Sequence, residues 1–237
     1  MTVSSAVCRE RPRSATVPPV FKQATDEFAR RLLRHPFLVR CSEGRATMDE
    51  LRSYLIQQGK YSRYFTRYLC ALMSHLENGG DVLQLADNLA EELALGGNDE
   101  IPHSRLYAQM LANFGIDLDE HPIRPETQNL IDTMFMLCRQ PGGISGLGAL
   151  CLGAEAIVPP TYARIIDGFR GCGVDVGKLS FFTIHVDCDD GHADTMFEIM
   201  ARSTANSVTR QISAVQAGEI AINARLRVFD TISKGGH

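Results

Sequence analysis

His185 and His192 bracket the segment HVDCDDGH, with Asp187, Asp189 and Asp190 between them. Imidazole and carboxylate groups at this density suggest metal ligation. On a helix, the i, i+4, i+7 spacing of His185, Asp189 and His192 places all three on one face. That face continues toward the apolar Met196 and Ile199, while Asp187 and Asp190 project elsewhere. The competing reading is a pair of surface histidines among acidic residues at a helix start, where the macrodipole favours negative charge.

A helical metal site needs ligands from several helices, and candidates occur. Glu155 lies in LGALCLGAEAIVPPTY, an almost wholly apolar segment. A carboxylate there is costly unless it is paired or ligating; a buried arginine or tyrosine could satisfy it instead. In NLAEELALGGNDEIPHSRLY, Glu91 and Glu92 precede a glycine break and His103 opens the next helix. One of the two glutamates belongs to a solvated face, and His103 could simply touch solvent at a helix N-terminus. Together Glu92, His103, Glu155, His185, Asp189 and His192 offer three carboxylates and three imidazoles. Oxygen and nitrogen donors without thiolate suit iron or manganese better than structural zinc. The seven cysteines contain no CxxC pair and read as free thiols packed as small hydrophobes.

On the substrate side, Gln58 falls on the buried face of its helix, where an amide needs partners. A neighbouring backbone break could supply them; so could a polar substrate group. Tyr61 and Phe65 lie on or beside that face, and Tyr162 is two turns past Glu155. Lys60, Arg63 and Arg67 fall on the opposite, solvated face, which leaves Arg210 in the last helix as the alternative cation for a substrate carboxylate.

These residues must be positioned by helices, because the periodicity is helical nearly everywhere. Helices are expected at 20–34, 48–76 (opened by a Thr47–Glu50 capping box), 81–94, 102–114, 125–138, 145–169, 179–203 and 205–233. Pro159 and Pro160 should kink or break the sixth. No strand alternation, internal repeat or dividing linker appears, so the expectation is one all-α domain over residues 19–237 after a disordered tail over 1–18. A formal charge of −4 gives no basic field to attract nucleic acid. No signal-peptide core or apolar run of membrane-spanning length is evident, and the free thiols read as those of a cytoplasmic protein.

HVDCDDGH resembles the H-x3-D-x2-H helix of the heme-oxygenase-like diiron oxidases and oxygenases. NLAEELALGGNDEIPHSRLY is similar to their Asn-Leu-x-x-Glu-Glu segment ending in His-x-x-Leu-Tyr, and LGAEAIVPPTYARIIDGF to the helix with their lone central glutamate. RHPFL and LRSYLIQQGKYSRYF resemble the first two helices of the wider superfamily, shared with thiaminase-like and quinone-synthase-like proteins, so the likeness spans roughly residues 20–230. It implies a seven- or eight-helix heme-oxygenase-like bundle with two iron ions and O2 as co-substrate. The Glu92–His103 separation is about one residue longer than the family pattern. This keeps Glu91 in view, although eleven residues approximate three helical turns and favour Glu92. The resemblance further implies that Glu92, His103 and Glu155 serve one iron and His185, Asp189 and His192 the other. Glu155 would bridge, and Glu92 and Glu155 would be the catalytic carboxylates. The implied reaction is N-oxygenation, oxidative C–C cleavage or desaturation of a small amino acid or carboxylic acid in a biosynthetic pathway. No flavin or nicotinamide fingerprint is present, so an external electron donor is required. The fold admits a homodimer. The alternatives are a metal-independent thiaminase-like or quinone-synthase-like enzyme, a non-catalytic helical binding protein, or a ferritin-like protein. The last is disfavoured because no Glu-x-x-His pair occurs among the ligands proposed.

Overall fold

The computed structural model describes residues 17–96, 101–187 and 191–234, and every regular element among them is helical. The eight expected helices are all present, but three of them are interrupted and one short helix is added, giving twelve α-helical segments among the described residues. Residues 1–16, which hold most of the expected tail, lie outside the described residues.

Helix α1 (Pro19–Leu33) buries Phe21, Ala24, Phe28 and Leu32 on one stripe. The segment read as a break after it contains α2 (Pro36–Ser42), which begins where His35 Nδ1 accepts a hydrogen bond from the Phe37 N–H and Pro36 occupies the first turn. Proline is at no disadvantage there, since the first-turn N–H groups have no intrahelical partner. The Thr47–Glu50 capping box opens α3 (Met48–Ser62) as expected. The single helix expected over 48–76 stops at Ser62, and α4 (Phe65–Met73) begins after two intervening residues.

Three pairs of segments set up the site. Helix α5 (Gly79–Glu92), capped by Asn78, is followed by α6 (His103–Ala112); α7 (Pro125–Cys138) comes next. Helices α8 (Ile144–Gly153) and α9 (Val158–Gly171) replace the kinked helix expected over 145–169. The break falls before the prolines, at Ala154 (φ −130°, ψ −74°), and a 3₁₀ turn over Glu155–Ile157 follows. Pro159 and Pro160 then sit harmlessly in the first turn of α9. Helices α10 (Ser180–Asp187) and α11 (His192–Thr204) replace the continuous helix expected over 179–203. Gly191 caps α11 in the left-handed region at φ +70°, a conformation that glycine adopts without Cβ strain.

The long α12 (Val208–Lys234) packs along α8. Small residues permit the close approach. A Cβ added to Gly148 would stand 2.1 Å from the Ala214 carbonyl oxygen, and one on Gly153 would lie 2.6 Å from the Ala221 Cβ. The stretch Ile144–Gly171 is apolar and long enough to cross a membrane by length and composition, contrary to the sequence expectation. However, 67% of its most apolar window is buried inside the protein, and the turn at Ala154 interrupts it. Leu147, Leu150 and Leu152 within it are fully buried.

Candidate metal centre and adjoining polar cluster

Glu92 ends α5 and is only 8% exposed, while Glu91 beside it is exposed. Glu92 Oε1 lies 3.1 Å from His103 Nδ1 and 3.4 Å from His192 Nδ1. The other nitrogen of His192, Nε2, is 3.0 Å from Glu91 Oε2. Between the two glutamates it is thus Glu92 that occupies the interior, and Glu91 reaches the same histidine from the rim. Burial alone would raise the Glu92 carboxyl, but the imidazoles of His103 and His192 outweigh it and hold the group well below the usual carboxylate range. Glu92 is therefore an ionised carboxylate at neutral pH.

Each member is placed by a helix end. His103 is the first residue of α6, following Pro102. His192 is the first residue of α11 and 1% exposed, which rules out the surface-histidine reading for it. Buried Asn88, one turn before Glu92 in α5, donates from Nδ2 to the His192 carbonyl at 3.3 Å and so fastens α11 to α5. His185, in α10, packs on His103 with ring centroids 4.8 Å apart. Its Nδ1 lies 2.7 Å from the Phe181 carbonyl, which only accepts, so Nδ1 carries the hydrogen and Nε2 is the nitrogen placed to ligate. His185 and His192 do converge, but from two helices rather than one face of a single helix. His192 also stands against Glu92, on the side that the resemblance gave to the other iron. Asp189 lies outside the described residues.

Glu155 opens the 3₁₀ turn after α8 and is half-buried rather than sunk in the apolar core that its neighbours suggested. Its charge acts on the hydroxyls of Tyr61 and Tyr162, raising both, although burial is the larger cause of their shift. Tyr162 does reach the histidines, its ring centroid 5.9 Å from that of His185. Its hydroxyl accepts a hydrogen bond from Gln58 Nε2 at 3.2 Å. Phe65, half-buried beyond the α3–α4 break, makes no ring contact with Tyr61, Tyr162 or the histidines among the described residues. Arg210 is corrected outright: it faces Glu77 at the surface, 3.8 Å away.

The sequence reading missed Arg225. This residue of α12 is 6% exposed, with Nη1 3.4 Å from Gln58 Oε1 and its guanidinium 4.7 Å above the Tyr61 ring centroid. The signal was available, because Arg225 falls on the apolar stripe formed by Ala221, Ile222, Val228, Phe229 and Ile232. The site therefore runs continuously from Glu92, His103 and His192 through His185 and Tyr162 to Gln58 and Arg225.

The donor set fits iron on its chemistry, since carboxylate oxygens and imidazole nitrogens predominate. The neighbouring Cys151 thiol is pushed well above its ordinary value, first by burial and then by Glu155, so it offers no thiolate. Among the described residues alone, no three His, Cys, Asp or Glu side chains form a ready-made cage for one ion.

The family model described as "Iron-containing redox enzyme" matches residues 52–226, a span that contains all of these residues. The chain belongs to the iron-containing redox enzyme family. It is 29% identical over 226 residues to a 4-aminobenzoate synthase of Nitrosomonas europaea, covering 90% of each chain. It is 26% identical over 208 residues to a 4-chloro-allylglycine synthase of Streptantibioticus cattleyicolor, covering 84% of this chain and 79% of that one. Among solved structures, a domain with a heme oxygenase-like fold from Shewanella denitrificans superposes with a TM-score of 0.75 at 17% identity over 90% of each chain, a likeness of fold alone. As a member of this family the protein is an iron-containing redox enzyme with a heme-oxygenase-like bundle.

Proposed function

We propose that this enzyme is a non-haem diiron oxidase or oxygenase that uses O2 to oxidise a small amino acid or carboxylic acid. Its ligands would be Glu92, His103, Glu155, His185, Asp189 and His192, with electrons from an external donor. The observation that carries the reading is the buried Glu92 carboxylate, held ionised between His103 and His192 at the meeting of three helices. Two irons bound there would supply the electrons and open coordination positions that oxygen reduction needs.

The chain's own residues have definable tasks. Asn88 orients the start of α11, and with it His192. The Phe181 carbonyl fixes the His185 tautomer. The Phe181 and Tyr162 rings wall His185 and exclude water from its flank. Glu155 faces the tyrosines of the polar cluster, where a substrate would lie between the ligands and Gln58. The products named for the two relatives, an aminobenzoate and an allylglycine, each carry an amino group and a carboxylate, which supports the substrate class.

The test is oxygen consumption by protein loaded anaerobically with ferrous iron and offered a panel of amino acids and carboxylic acids. One chemical class should accelerate oxygen uptake. Identical slow uptake with every compound would overturn the reading.

A further inference from the structure

Arg225 is buried, yet among the described residues no carboxylate pairs with its guanidinium. Among the described residues its Nε–H has no hydrogen-bond acceptor. Removing a cation from water costs several kcal/mol unless an opposite charge compensates. The Tyr61 ring face and the Gln58 amide oxygen, two of its neighbours, are only partial compensation. A second donor adjoins it. Tyr162 receives a hydrogen bond from Gln58 Nε2, so its own hydroxyl hydrogen must be given elsewhere. Gln58 thus binds Arg225 through its oxygen and Tyr162 through its nitrogen, and holds both next to each other.

We propose that Arg225 and Tyr162 form the subsite for the substrate's carboxylate, with Gln58 as the positioning residue that sets their spacing. The inference rests on the oxygenase reading and names the group by which its substrate is recognised. An Arg guanidinium in a water-poor site binds a planar carboxylate through charge-assisted hydrogen bonds, where a neutral amide would gain far less. Because the Tyr162 ring packs on His185 at its other side, a carboxylate bound here would leave the rest of a small molecule directed toward the histidines. The ligand class is accordingly a small monocarboxylate, amino acids included.

The experiment measures binding by full-length, iron-free protein, by thermal shift and calorimetry, with a panel of L-amino acids and short carboxylic acids and the primary carboxamide of each. The wild type should bind at least one acid and discriminate against its amide. Arg225→Gln should weaken that acid by about 10- to 100-fold, the loss of a hydrogen-bonded charge, and Arg225→Lys should recover part of it. No acid binding by the wild type, equal binding of acid and amide, or unchanged binding in a folded Arg225→Gln would overturn the proposal. The acid–amide comparison needs no variant, so a misfolded substitution cannot leave the matter open. If acid binding depends on Arg225 but no iron is taken up, the subsite stands and the oxygenase reading fails.

Discussion

His192 has each ring nitrogen set against a carboxylate, and neither a surface position nor a generic core histidine would produce that. Its replacement by alanine should lower bound iron at least severalfold and abolish substrate-dependent oxygen uptake, read by metal analysis and an oxygen electrode. Full activity in the variant would remove His192 from the site. The thiols give a second check at this scale. Burial foremost pushes Cys41 and Cys138 up to about 12, whereas Cys70 is exposed. Brief alkylation of the folded protein, followed by peptide mapping, should label Cys70 roughly tenfold or more ahead of Cys41 and Cys138, because only thiolates react. Equal labelling would contradict the burial described. Residue chemistry was largely legible in the sequence: His103, His192 and Glu92 were recognisable because polar groups at those positions need an explanation. Arg225 was not recognised, since long basic side chains on a terminal helix are so commonly solvated, and only its helical phase betrays it.

At the scale of elements, the sequence periodicity located the helices, and the prolines signalled one of the three interruptions though not its exact position; the other two went unread. The α8–α9 break precedes the prolines because prolines are tolerated in a first turn, and the geometry that ends α8 is the backbone turn at Ala154. Helix α11 opens at Gly191, φ +70°, and a glycine at the end of the acidic HVDCDDGH segment does not announce its conformation. These interruptions matter, because they deliver Glu155 and His192 at helix ends rather than along helix faces. The α8–α12 contact makes a prediction of its own. With the Ala214 carbonyl 2.1 Å from any Cβ at Gly148, Gly148→Ala must push two backbones apart. It should cost about 1–3 kcal/mol, the usual penalty of overpacking, measured from urea midpoints at constant m-value. A neutral substitution would mean that α12 does not lie so close.

At the scale of the whole molecule, the twelve α-helical segments among the described residues share a hydrophobic core with a polar path through it, from the Glu92–histidine cluster to Arg225. Such a path is expensive to bury, and its continuity is best explained if ligand and substrate chemistry both use it. The α-helical class could be read from pattern alone, as could the candidates Glu92, His103 and His192 that the structure brings together. The path itself could not, because it is assembled from α3, α5, α6, α9, α10, α11 and α12 by packing that no local pattern encodes. The most direct measurement is an anaerobic titration of the full-length protein with ferrous iron, counting irons per chain and recording the Mössbauer spectrum before and after oxygen is admitted. The account predicts close to two irons per chain that become a spin-coupled diferric pair. A protein that takes up no iron, or only one uncoupled ion, would contradict it.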